Sequence, residues 1–131
     1  MVVDTSALVA LLLDEPMAGQ IDALLQTAPT TRISAANHVE LMIVVESRAG
    51  AAGALVVGEL IRRFEIVVES VTPQLALAAV DGWRRFGKGR HPAGLNFGDC
   101  FSYALAMDRS EPLLFVGNDF AQTDVQRVIL E

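Results

Sequence analysis

The sequence predicts an α/β fold in which helices cover both faces of a mostly parallel sheet. Hydrophobic residues make up 52% of the 131 residues, a fraction that is high for a soluble protein and typical of a sheet buried on both sides. Strand-like and helix-like segments alternate, as they do in βα units. The apolar segments are short, and none reaches the roughly 18–20 residues that a membrane-spanning helix needs. A chain of this length is expected to form one domain, residues 1–131.

Five segments have the short, β-branched or apolar composition of strands and are bounded by turn residues. In chain order they are residues 1–3, 30–33, 66–71, 112–116 and 125–130.

Six helical segments lie between these strands, and several begin at a recognisable signal. Thr5 and Ser6 can cap the first helix, Ser34 the third and Asn96 the last, while Pro73 stands at the start of the fifth. The segments are residues 7–13, 16–27, 35–48, 51–64, 73–86 and the helix that follows residue 96.

The bulk charge and the cysteine count exclude several classes of function. The net charge is −6, which argues against passive nucleic-acid binding by a basic surface. The single cysteine excludes an internal disulfide and a Cys-based zinc site. The amino-terminal residues lack the basic region of a signal peptide, so we expect a cytoplasmic protein.

Four acidic residues, Asp4, Glu40, Asp99 and Asp119, lie within or at the edge of apolar segments. A buried carboxylate is costly unless it is paired or bound to a metal ion. Asp4 and Asp119 both follow predicted strands, so both should emerge at the carboxyl edge of the sheet. If the four converge, the expected ligand is a hard divalent cation such as Mg²⁺ or Mn²⁺.

Each acid also has a purely structural interpretation. Asp4 could cap a helix, and Glu40 could be an ordinary exposed helical glutamate. Asp99 forms a possible capping box with Asn96, and Asp119 could be only a turn residue.

A basic cluster precedes the Asp99 helix. Arg85, Lys88 and Arg90 could bind phosphate there, or could simply form a solvated surface. The nearby aromatic residues Trp83, Phe86 and Phe97 are assigned to the core.

The ordered set of acidic motifs resembles the PIN-domain ribonucleases, and within them the VapC toxins of bacterial toxin–antitoxin pairs. The matching segments are residues 2–8 around Asp4, residues 39–41 around Glu40, residues 96–106 around Asp99, and residues 117–120 around Asp119.

This resemblance implies a three-layer α/β/α sandwich with a five-stranded, mainly parallel sheet. It implies Mg²⁺- or Mn²⁺-dependent endonucleolytic cleavage of RNA, with the four acids as metal ligands. Thr5 and Ser6 would orient a carboxylate or a water, and the basic cluster would hold RNA phosphates. The implied partners are a second copy of the chain and a cognate VapB antitoxin.

Other interpretations fit less well. A phosphatase of the haloacid-dehalogenase type needs a second aspartate where this chain has Ser6, and a response-regulator receiver needs a late lysine, whereas the only lysine is Lys88. The main alternative is a binding protein and not an enzyme: a catalytically inactive PIN-like module that acts by binding a partner or RNA.

Overall fold

Four short strands and six helices form the fold in the computed structural model, which describes residues 1–131. In chain order they are β1 (Val2–Val3), α1 (Thr5–Leu12), α2 (Ala18–Thr27), β2 (Arg32–Ser34), α3 (Ala35–Ala49), α4 (Ala52–Arg63), β3 (Val67–Glu69), α5 (Pro73–Phe86), α6 (Phe97–Arg109) and β4 (Leu113–Leu114). The predicted α/β class is confirmed. No helix combines the length and the hydrophobicity needed to cross a membrane.

The four strands are all parallel, in the order β3-β2-β1-β4. The chain adds β2 and β3 on one side of β1 and then returns to the other side of β1 for β4. Strand order therefore reverses beside β1, and a ligand site is expected outside the carboxyl ends of β1 and β4.

The sheet has four strands rather than the five expected. Residues 125–130 run beside β4 but form only one bridge with it, between Leu113 and Arg127. Two backbone hydrogen bonds hold them there, from the Leu113 N–H to the Gln126 carbonyl (2.8 Å) and from the Val128 N–H to the Leu113 carbonyl (3.0 Å). Because β4 is two residues long, its edge offers too few partners for a regular fifth strand.

Two apolar clusters fill the spaces on either side of the sheet. Because side chains alternate along a strand, Val3 and Leu114 join the cluster formed with α1–α4, whereas Val2 and Leu113 join the cluster formed with α5 and α6. The resulting arrangement has three layers, with the sheet in the middle.

Two details of the helices differ from the expectation. The cap of α1 is Asp4, whose carboxylate accepts the Ser6 N–H at 3.0 Å, rather than Thr5 or Ser6. Helix α2 begins at Ala18 because the chain turns after α1, where Asp14 has a left-handed backbone (φ 52°).

The core assignment of two aromatic residues is wrong. Phe97 is 82% exposed and Trp83 is 44% exposed, while Phe86 is half-buried and packs edge-on against Tyr103 with ring centroids 5.7 Å apart.

Candidate functional site

A pocket of about 280 Å³ opens beyond the carboxyl ends of β1 and β4, where strand order reverses. All four predicted acids contribute to its wall. The polar lining residues are Asp4, Thr5, Ser6, Glu40, Asn96, Asp99 and Asp119.

Asp4 lies at the start of α1 and is only 4% exposed. One carboxylate oxygen accepts the Ser6 N–H, and the other accepts the Ser102 hydroxyl at 2.5 Å. The two bonds fix the orientation of the carboxylate at the amino end of α1, which Asp4 caps.

Asp99 lies in the first turn of α6 and forms the predicted capping box with Asn96. Its Oδ2 accepts the Asn96 N–H at 3.0 Å, and its own N–H donates to Asn96 Oδ1 at 2.9 Å. Burial, followed by the negative charges of Asp4 and Asp119, raises the pKa of Asp99 to about 7, although the Asn96 N–H acts in the opposite direction. The helix cap and the acid-pocket role are thus served by the same carboxylate.

Glu40 reaches the pocket from α3 and packs against the backbone of α6. A Cβ atom added to Gly98 would lie 2.8 Å from the carboxyl carbon of Glu40, so the glycine leaves the space that the carboxylate fills. The Asn37 side-chain amide donates to Glu40 Oε1 at 3.4 Å, a long hydrogen bond.

Asp119 lies in the segment between β4 and the last extended stretch, and it is exposed. Its neighbour Phe120 is buried, with its ring centroid 5.0 Å from that of Phe115. The charge of Asp119 acts on Asp99 and contributes to the raised pKa of that carboxyl. The two side chains therefore share the pocket.

Two fully buried polar residues that the motifs did not indicate connect the acids. Ser102 Oγ lies 2.5 Å from Asp4 Oδ1 and 3.0 Å from Asn37 Oδ1, and Asn37 Nδ2 donates to the Gly98 carbonyl at 2.9 Å. Ser102 stands three residues after Asp99, and Asn37 stands three residues before an acid on its own helix. Helical residues at that spacing share a face, and this spacing is the sequence signal that could have identified Ser102 and Asn37.

The hydroxyls of Thr5 and Ser6 do not bind a carboxylate. Thr5 donates to the Asn37 carbonyl at 3.1 Å, and Ser6 Oγ accepts the Val116 N–H at 3.1 Å. They tie α1 to α3 and to the end of β4, and the carboxylate of Asp4 is held instead by a backbone amide and by Ser102.

The three basic residues expected at the site do not line this pocket. Arg85 is bound to Tyr103 and Asp124. The Arg90 guanidinium lies over the Trp83 ring, 4.6 Å from its centroid. Lys88 lines a larger apolar groove of about 570 Å³ beside α5 and α6, which meets the acid pocket at Asn96.

The donor set fits a hard divalent cation that keeps part of its water shell. No three acidic, histidine or cysteine side chains converge closely enough to form a closed coordination sphere. Mg²⁺, however, usually takes only one or two protein carboxylates and retains several waters. Asp4 and Asp99 are both buried, and burial together with the negative charges of Asp4 and Asp119 raises the pKa of Asp99. A bound cation would relieve this repulsion.

The comparisons of this chain with known proteins all indicate the same family. The PIN-domain family model matches residues 1–126. Ribonuclease VapC28 of Mycobacterium tuberculosis is 49% identical over 130 residues, covering 98% of each chain. Among solved structures, the sarcin–ricin loop cleaving toxin VapC20 of Mycobacterium tuberculosis matches with a TM-score of 0.78 at 22% identity, covering 97% of each chain. VapBC-1 from nontypeable Haemophilus influenzae matches with a TM-score of 0.69 at 18% identity, covering 97% of this chain and 95% of that one. The structural matches show a shared fold.

Proposed function

The chain belongs to the PIN-domain family and, within it, to the VapC ribonucleases, and we propose that it is a metal-dependent endoribonuclease acting as the toxin of a toxin–antitoxin pair. One observation carries the proposal beyond family membership: four carboxylates from four different parts of the chain line one pocket at the carboxyl edge of the sheet. We take residues 1–131 as a single domain that acts on RNA in the cytoplasm.

We place the divalent ion, Mg²⁺ or Mn²⁺, among Asp4, Glu40, Asp99 and Asp119, which would bind it directly or through its retained waters. Such an ion, when bound, activates water as a nucleophile and offsets the charge that develops on the phosphate. The protein supplies the orientation of the carboxylates. Asp4 is fixed by two hydrogen bonds and Asp99 by the helix cap, so the oxygens are held in place before the substrate arrives.

RNA phosphates are the proposed partners of Lys88 and Arg90, which form no ion pair within the chain. Arg85 is the weaker candidate of the three, because its guanidinium is already paired with Asp124 at 2.9 Å. Lys88 borders the groove that meets the acid pocket, so a strand held there could extend towards the carboxylates.

A cognate VapB-type antitoxin and a second copy of the chain are the proposed protein partners. The structural match with VapBC-1, a toxin–antitoxin pair, supports the first. Large apolar side chains are also exposed on α3 and α4, and the α5–α6 groove is mostly apolar. Exposed apolar patches of this kind mark interaction surfaces. The exposed residues of α3 and α4 are Val39, Ile43, Leu55 and Val56.

The decisive test compares Asp4→Asn and Asp99→Asn with the wild-type protein. Asn caps a helix as well as Asp does, and its amide can donate to Ser102 Oγ, so Asp4→Asn should preserve α1. We expect both variants to fold and to lose cleavage of single-stranded RNA by at least about 10²-fold. EDTA should abolish wild-type cleavage, and Mg²⁺ or Mn²⁺ should restore it.

Asp108→Asn is the matched control, because Asp108 is an exposed acid on α6 outside the pocket. It should retain wild-type activity. Full activity in Asp4→Asn or Asp99→Asn, or cleavage that survives EDTA, contradicts the proposal. A wild-type protein that binds RNA without cleaving it under any divalent ion would instead indicate the inactive binding module.

A further inference from the structure

Asp119 is held differently from the other three acids of the pocket. Asp4 follows a strand and caps a helix, and Glu40 and Asp99 lie on helices, whereas Asp119 lies in an exposed segment between β4 and the last extended stretch. The position of its carboxylate therefore depends on what fixes the two ends of residues 117–124.

The amino end of this segment is fixed to α1 and to the core. The Val116 N–H donates to Ser6 Oγ at 3.1 Å. Phe120, directly after Asp119, is buried against Phe115. At the carboxyl end, Val125 is buried in the cluster with α5 and α6, and Thr123 Oγ1 donates to the Phe120 carbonyl at 2.8 Å. Neither contact fixes the side chain of Asp124 between them.

The carboxyl end is fixed by a closed triangle of hydrogen bonds that joins three parts of the chain. Tyr103 of α6 donates its hydroxyl to Asp124 Oδ1 at 2.6 Å. Arg85 of α5 donates to Asp124 Oδ2 at 2.9 Å and to the Tyr103 hydroxyl oxygen at 3.1 Å. Each side chain of the triangle contacts the other two.

The chemistry of the triangle suits a positional role. Although burial acts the other way, the Tyr103 hydroxyl and the Arg85 guanidinium lower the pKa of Asp124, so the carboxylate accepts charge-assisted hydrogen bonds over the neutral range. The side chains of Arg85 and Asp124 are 47% and 42% exposed, and an ion pair so exposed adds little to global stability. The triangle fixes where Asp124 lies relative to α5 and α6.

We propose that Arg85, Tyr103 and Asp124 are positioning residues that hold the segment carrying Asp119 against the acid pocket. The inference rests on the proposed function, since it assigns Asp119 to the divalent-ion site. It gives Arg85 a role within the chain in place of a contact with RNA.

Tyr103→Phe is the most specific test, because it removes the hydroxyl and keeps the ring that packs against Phe86. Arg85→Lys keeps the charge but loses the planar fork that reaches two acceptors at once. Arg84→Gln is the control: it removes a charge from the neighbouring exposed residue, whose side chain forms no ion pair.

Two measurements follow the segment without depending on cleavage. Amide hydrogen exchange of residues 117–125 should rise by about threefold to tenfold in Tyr103→Phe and Arg85→Lys, and stay unchanged in the helices. The Mn²⁺ concentration that gives half of the thermal-stability shift should rise several-fold in the same two variants. For cleavage, excess Mn²⁺ should restore most of the rate. Arg84→Gln should match the wild-type protein in every measurement.

Unchanged exchange and an unchanged Mn²⁺ requirement in Tyr103→Phe would overturn the inference. Loss of RNA affinity in an Arg85→Gln variant, with Arg85→Lys and Tyr103→Phe both normal, would also overturn it and make Arg85 an RNA contact. A wild-type protein that neither binds Mn²⁺ nor cleaves RNA refutes the proposed function, and the exchange data then still show whether the triangle fixes the segment.

Discussion

At the scale of single residues, a missing side chain matters as much as a charged one. Gly98 lies in the first turn of α6, directly before Asp99, and its absent Cβ leaves the space for the Glu40 carboxylate. The contact joins α3 to α6 at the pocket. A methyl group added at position 98 would fit only if the end of the Glu40 side chain moved.

Gly98→Ala should therefore displace the Glu40 side chain without lowering the stability of the fold. Alanine is favoured over glycine in a helix by about 1 kcal/mol, and the Glu40 side chain is flexible enough to yield. We expect a melting temperature equal to or above that of the wild-type protein, with RNA cleavage reduced by about 10²-fold because Glu40, a proposed metal ligand, is displaced. Thermal unfolding and a cleavage assay check the two effects. Full cleavage in a stable Gly98→Ala protein would mean that Glu40 is not needed at its present position.

The candidate site was predictable where a residue carries its signal in its own neighbourhood. Asp4, Asp99 and Asp119 each lie at one edge of an apolar segment, and the structure brings them into one pocket. The basic neighbours of Arg85 in the chain predict an RNA contact for it, but they give no sign of its hydrogen bond to Asp124, which is 39 residues away. A contact at that separation depends on how the helices pack, which local sequence does not encode.

At the scale of elements, helices α5 and α6 pack closely enough to need a glycine between them. A Cβ atom at Gly82 of α5 would lie 2.7 Å from Cδ1 of Tyr103 on α6. The Tyr103 ring cannot move aside freely, because its hydroxyl is bound to Asp124 and Arg85.

Gly82→Ala should destabilise the protein although it improves helix propensity. Overpacking a rigid contact typically costs about 1–3 kcal/mol, which exceeds the gain of about 1 kcal/mol from replacing a helical glycine. Gly58→Ala in the middle of α4 is the control, since its Cβ would meet only the flexible end of Arg62 at 3.5 Å. In urea unfolding, the unfolding free energy of Gly82→Ala should be lower than that of the wild-type protein, and that of Gly58→Ala should be higher. A Gly82→Ala variant as stable as Gly58→Ala would show that the ring yields.

The elements that the sequence predicted best are those with signals inside the segment. Helices α3 and α6 start after the predicted caps, Ser34 and Asn96. The expected fifth strand does not form, because its formation depends on more than its own sequence. Residues 125–130 have suitable composition, but a strand also needs a partner edge, and only Leu113 offers one.

At the scale of the whole molecule, two groups of charged residues around the sheet differ in charge balance. Arg32 at the start of β2 pairs with Glu69 at the end of β3 (2.7 Å) and with Glu111 before β4 (3.0 Å), so positive and negative charges alternate. At the carboxyl edge the four pocket acids have no basic residue among the lining residues. These acids have no compensating positive charge in the pocket, and this is where we propose that a divalent cation binds.

The paired carboxylates Glu111 and Asp124 make the stability of the protein depend on pH only in acid. Although burial opposes it, hydrogen bonds from the amino terminus and from Arg32 lower the pKa of Glu111, and the pKa of Asp124 is also lowered. Carboxylates with a depressed folded pKa stabilise the protein above their unfolded pKa, roughly 4, and lose that contribution only as the pH falls through the folded value. The loss of this stabilisation is therefore confined to acid conditions.

Asp99 should give the opposite pH dependence in the metal-free protein. Its folded pKa of about 7 lies above the value of about 3.9 in an unfolded chain, so the folded state retains a proton that the unfolded state releases. This stability is complete below about pH 3.9 and is lost as the pH rises through 7.

In EDTA, we expect the unfolding free energy to fall by up to about 1.4 kcal/mol per pH unit between pH 5 and 7, beyond the slope measured for Asp99→Asn. Both proteins keep His38 and His91, so the difference between their urea-unfolding curves isolates the acid pocket. Mn²⁺ should raise the stability of the wild-type protein at pH 8 and leave the variant nearly unchanged, whereas parallel pH profiles would show that burial and the charges of Asp4 and Asp119 do not raise the pKa of Asp99.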